Sequence, residues 1–146
     1  MRAVLLLACI SGCAPRDARV ATAGDLEVHG AFVFAPPTTS EAAGYFIVVN
    51  RGSTPDTLVG ISSPIAASAM LHAQVPHGGM VRMEHVVAAP VMPGDSLVLA
   101  PGGTHVMFTS LEHLPQPGNS LVVRLKFARA GVVTMMMPVR SYGDAP

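Results

Sequence analysis

His72, Met83, His105 and Met107 are the residues of this 146-residue chain whose types and spacing could do chemistry together. They follow the pattern H-x10-M-x21-H-x-M. Thioethers are soft, uncharged donors, poor for Zn²⁺, Ca²⁺ or Mg²⁺ and well suited to Cu(I), while imidazole suits copper in either oxidation state. Two His and two Met therefore point to reduced copper. His105 and Met107 are two apart in a segment expected to be a strand, so both face the same way, about 7 Å apart along the backbone. His72 and Met83 flank Pro76-His77-Gly78-Gly79, a hairpin signal that can bring two neighbouring strands together. The spacing is compatible with a four-ligand site made by two hairpins.

Other donors lie close by in the chain. His85 is two beyond Met83 and would share its face in a regular strand, where it could ligate or orient a ligand. Met80 and Met70 could offer an alternative sulfur, and His29, His77 and His113 read as surface residues. Met135-Met136-Met137 could form a second methionine site, but consecutive strand residues face opposite ways, so core packing is favoured. Each residue alone also has a plain structural use: Met fills irregular cores, and a single His is more often hydrogen-bonded than metal-bound. The weight comes from finding all four in one exported domain without competing thiols.

Export is read from the first residues. A short basic start, Met1-Arg2, precedes the apolar run Ala3-Val4-Leu5-Leu6-Leu7-Ala8-Cys9-Ile10 and then Ser11-Gly12-Cys13. This is the pattern of a signal peptide, too short to span a bilayer. Ile10-Ser11-Gly12-Cys13 resembles the bacterial lipobox, which would make residues 1–13 a lipoprotein signal with Cys13 lipidated. Several acyl chains on one residue hold a protein stably on a membrane. The expected location is the periplasm or cell envelope, lipid-anchored. The chain has two cysteines, Cys9 and Cys13, so the folded part is no disulfide scaffold and has no thiolate for a blue-copper centre. Zero formal net charge with 12% charged residues leaves no basic field to recruit nucleic acid. Enzyme signatures are missing too: there is no G-x-S-x-G elbow, no H-E-x-x-H helix and no cysteine nucleophile beyond the anchor.

Residues 14–24 lack periodicity and read as a flexible tether, leaving 25–141 as a single domain. Across that domain short β-prone runs alternate with Pro and Gly. Strands are expected at 26–34, 44–50, 56–62, 69–74, 79–87, 95–99, 105–108, 121–128 and 132–139, with at most one helical turn at 110–114. Turn signals about every 10 residues indicate an all-β sandwich or barrel. In 121–127 the apolar Leu121, Val123, Leu125 and Phe127 alternate with Arg124 and Lys126, giving one buried face and one wet one.

With these residues in view, the chain resembles a periplasmic copper chaperone of the PCuAC family. That family's signature is matched by His72, Met83, His105 and Met107 with neither gap altered. Ala43-Gly44-Tyr45-Phe46, Asn50-Arg51-Gly52, Asp56-Thr57-Leu58-Val59, Met80-Val81-Arg82-Met83 and Pro101-Gly102-Gly103-Thr104 fit as well, so the likeness spans about residues 25–140. It implies a cupredoxin-like Greek-key β-sandwich that binds one Cu(I) at an exposed edge. It further implies delivery to the CuA-bearing subunit of cytochrome c oxidase, often beside a thiol-bearing copper chaperone. Copper tolerance or storage, and a metal-free structural sandwich, are the competing expectations. Two features depart from the family. The first strand reads His29-Gly30-Ala31-Phe32-Val33-Phe34, lacking the family's usual Trp and Arg, and Ser141-Tyr142-Gly143-Asp144-Ala145-Pro146 is unlike the His/Met-rich tail of some members.

Overall fold

A computed structural model describes residues 19–35 and 40–144. The signal segment, Cys13 and the first part of the expected tether lie outside the described residues. Eleven strands are described: β1 Arg19–Ala23, β2 Leu26–Phe34, β3 Ala42–Asn50, β4 Asp56–Ser62, β5 Ala66–His77, β6 Met80–Val86, β7 Ala89–Val91, β8 Ser96–Leu99, β9 His105–Leu111, β10 Ser120–Phe127 and β11 Gly131–Arg140. Among the described residues no helix is long and apolar enough to cross a membrane.

The strands form two faces of a cupredoxin-like sandwich. One sheet runs β6-β5-β9-β3-β2, with β1 beside β2 and β8 beside β3; the other runs β11-β10-β4-β7. A short parallel pairing of Val139 and Arg140 with Val33 and Phe34 joins them at one side. The chain changes sheet between β3 and β4, β4 and β5, β6 and β7, β7 and β8, and β9 and β10, the Greek-key habit. Burial follows the period of two. Leu121, Val123, Leu125 and Phe127 of β10 face inward and lie opposite Met137, Met135, Val133 and Gly131 of β11. From the facing sheet come Val28, Phe46, Val48, Leu71, Val106 and Phe108. Gly44 is required by this packing: a Cβ there would stand 2.8 Å from the Phe108 ring.

Three local expectations are corrected. Arg19–Ala23, expected within the tether, pairs antiparallel with β2 as β1; the unpaired N–H and C=O groups of an edge recruit any extended neighbour. Ala89–Val91 adds a three-residue edge strand in which Pro90 is tolerated because it lies on the sheet's last strand. The helical turn expected at 110–114 does not form. Instead β9 runs on to Leu111, with Ser110 at φ 51° before a buried Leu111, and the single 3-10 turn among the described residues is Tyr142–Asp144.

Candidate metal centre

Three neighbouring strands position the donors. β5 and β6 form a hairpin closed by Gly78 and Gly79, whose φ values of 57° and 83° only glycine adopts readily. β9 packs on the other side of β5. Both ladders keep one register through the donor region: His72 lies opposite His105 on β9 and opposite His85 on β6, Met70 lies opposite Met107, and Gln74 lies opposite Met83. Directly opposed residues share a face. His72, His85, His105, Met83, Met107 and Met70 therefore all stand on the outer face, while Leu71, Val106 and Phe108 point into the core. Met83 and Met107 sit diagonally across from His72 on its two sides.

His72 is the centre of this arrangement. Its ring lies 6.0 Å from that of His105 and 6.1 Å from that of His85, edge-on to each. A metal–nitrogen bond is about 2.0 Å, so two rings sharing one ion have centroids no more than about 6.4 Å apart. Both pairs meet that limit. The hairpin and β9 supply the donors, one hairpin rather than two. Met80 is removed from the set: opposite His77, it alternates with Val81 and Met83 and takes the other face. His85 shares the face of His72, as its spacing of two from Met83 signalled.

His105 is held in one orientation. It is 4% exposed, and its Nδ1 donates to the Gly103 carbonyl at 3.1 Å. A carbonyl only accepts, so Nδ1 carries a proton, and in the neutral tautomer this selects, the lone pair is on Nε2. A backbone acceptor behind a ring nitrogen is the usual way a metal-binding imidazole is oriented. Burial, followed by the neighbouring His105 and His85, lowers the pKa of His72 from the ordinary imidazole value, with Glu41 opposing. The central ring thus favours its neutral, metal-binding form. Among the described residues no three His, Cys, Asp or Glu side chains form a metal cage.

Behind His105 the outer face becomes aromatic. Tyr45 lies 6.4 Å from the His105 ring, and Phe32 and Phe34 pack on Tyr45 with centroids 5.1 and 5.6 Å away. Tyr142 stacks on Phe34 at 4.7 Å, and the Arg140 guanidinium lies 4.5 Å over Phe32. Arginine, missing from β2, reaches this cluster from β11. Burial, then the charge of Tyr142, raises the Tyr45 phenol. Phe46 by contrast belongs to the main core.

The remaining candidates fall elsewhere. His29, expected to be a plain surface residue, is partly buried with Nε2 3.1 Å from the Glu27 carboxylate, which Arg51 also approaches at 3.3 Å. Met135 and Met137 are buried and Met136 is exposed, as alternation requires. A concavity of about 440 Å³ lies at the far end of β5 and β9, where Ser63, Ile65, His113 and Leu114 line it, away from the donor face.

Comparisons agree with this architecture. The LpqE-like lipoprotein family matches residues 26–139. "Putative lipoprotein Lxx21020" of Leifsonia xyli subsp. xyli is 32% identical over 142 residues, covering 93% of this chain and 85% of its own. Among solved structures, the copper-bound PCuAC domain from PmoF2 is 26% identical with a TM-score of 0.70, covering 86% of this chain and 97% of that domain. The solution structure of CuI-DR1885 from Deinococcus radiodurans is 30% identical with a TM-score of 0.63, covering 76% and 75% of the two chains. The signature, the sandwich and these likenesses agree: the chain belongs to the LpqE-like lipoprotein family, and its folded domain has the PCuAC architecture.

Proposed function

We propose that this protein is a lipid-anchored copper chaperone outside the cytoplasm, carrying one Cu(I) on His72, Met83, His105 and Met107. The observation that supports this most directly is the β5–β9 register, which sets His72 opposite His105 with their rings 6.0 Å apart and both signature sulfurs on the same face. The copper-bound PmoF2 and Cu(I)-bound DR1885 structures, similar in fold and above a quarter identical, support the identity of the cargo.

Neutral donors explain how such a protein could both hold and release its ion. Two imidazoles and two thioethers satisfy soft Cu(I) but leave its positive charge uncompensated. An incoming thiolate brings that charge and a softer sulfur, so it displaces the neutral donors one at a time. Copper passes without a change of oxidation state. On this reading the recipient is the CuA centre of cytochrome c oxidase or a thiol-bearing chaperone that serves it, and Cys13 carries the lipid that keeps the domain near the membrane.

Cu(I) titration of the soluble domain, with X-ray absorption to count sulfur and nitrogen neighbours, tests the site. One equivalent should bind with mixed N/S ligation, and a His105→Ala, Met107→Ala double variant should lose on the order of 100-fold or more in affinity. Unchanged affinity would refute the assignment. Deleting the gene and measuring oxidase assembly against copper resistance separates delivery from tolerance. Radiolabelled palmitate should enter the wild type and not Cys13→Ser.

A further inference from the structure

We infer that His85 is an additional copper donor, an exit ligand at the free edge of the sheet to which the ion moves from His105 before it leaves. This rests on the Cu(I)-carrier reading above and names the route by which that site empties.

His72 stands between two imidazoles at nearly equal distance, 6.0 Å to His105 and 6.1 Å to His85, with interplanar angles of 85° and 83°. Two arrangements could use both neighbours: a single cage of three rings, or two ring pairs that share His72. The side-chain positions decide between them. His85 and His105 lie on β6 and β9, on opposite sides of β5, and no three-residue cage of His, Cys, Asp or Glu forms among the described residues. Two overlapping ring pairs remain.

A sulfur accompanies each pair. Met107 follows His105 by two on β9, and Met83 precedes His85 by two on β6, so both lie diagonal to His72. Exposure then increases in one direction. His105 is 4% exposed, His72 and Met107 are partly buried, Met83 is 49% exposed, and His85 is exposed. Among the described residues β6 ends the sheet and no strand lies beyond it, which leaves His85 and Met83 open to an acceptor. In the outward step the Cu–N bond to His105 and the Cu–S bond to Met107 break, and a Cu–N bond to neutral His85 forms. His72 and Met83 stay bound. The ion remains Cu(I), and no proton or electron is transferred.

His85→Gln in the lipid-free domain tests this, with Cu(I) transfer to a dithiol peptide followed by stopped flow. The variant should keep its Cu(I) affinity within about threefold and its apo melting temperature, while transfer slows by about tenfold or more. His105→Gln should instead lower the affinity. Transfer by His85→Gln at the wild-type rate overturns the exit role. An affinity loss equal to that of His105→Gln overturns it as well, because His85 would then belong to the resting site. If the wild-type domain binds no Cu(I), the carrier reading itself fails, a result distinct from either of these.

Discussion

Two polar regions of this molecule are built from similar materials and finished in opposite ways. In Asn50 and Asp56, every side-chain polar atom has its partner. Asn50 is 1% exposed; its Nδ2 donates to the Thr54 and Val91 carbonyls at 2.8 and 3.1 Å, and its Oδ1 accepts from the Gly52 amide. Asp56 accepts from the amides of Thr57, Arg129 and Ala130, tying β4 to the β10–β11 turn. On the donor face, His105 is oriented through Nδ1 while Nε2 is left with a lone pair, and His72 is kept neutral by its surroundings. The first region uses its hydrogen-bonding capacity to close the fold. The second withholds it for something from outside. Methionine repeats the contrast, since Met135 and Met137 fill the core while Met83 and Met107 lie on the outer face.

Breaking the closed region should cost stability and spare binding. Met137, 0% exposed, should cost about 2–5 kcal/mol on truncation to Ala, with Cu(I) stoichiometry unchanged in a titration. Asp56→Ala should cost about 1–3 kcal/mol in denaturant unfolding, because dry amides lose their acceptor. A copper affinity that fell with either substitution would remove the distinction between the two regions.

Acid should separate the regions by pH. Burial alone would raise the Asp56 carboxyl, but the amides of Arg129, Thr57 and Ala130 and the Arg129 charge outweigh it and lower the pKa. Its stabilising contribution is therefore complete above the ordinary carboxylate value and lost as pH falls through the lowered one. His72 is also depressed, and for an imidazole this means the unfolded chain takes the proton first. Stability is then unaffected above 6.5 and declines as pH drops from there toward the lowered folded value. An NMR titration of the apo domain should give a His72 midpoint below 6.5. A midpoint at or above it would contradict the neutral central ring. The smallest effect belongs to Met136, 52% exposed: Met136→Leu should change stability by less than about 0.5 kcal/mol and copper binding not at all.

Much of this was readable along the chain where the governing interactions are local. β2 and β4 coincide with the expected 26–34 and 56–62, because alternation and flanking turn residues act within a few positions. β1 and β7 were not readable. Neither has a strong pattern of its own, and each exists because a sheet edge accepts it. The Trp and Arg missing from β2 gave no hint that Arg140, more than a hundred residues later, would cover Phe32.

The sequence by itself determined the donor chemistry and which residues of a strand face together, since a side-chain period of two is a property of the backbone. It also set the β5–β6 hairpin, because only Gly78 and Gly79 make that turn easily. Only the tertiary structure decided that His72 opposes His105 and that His85 is as near as His105. Those facts depend on which strands become neighbours and in what register. Burial of Leu71, Val106 and Phe108 in the common core selects them, a long-range choice that spacing along the chain does not encode.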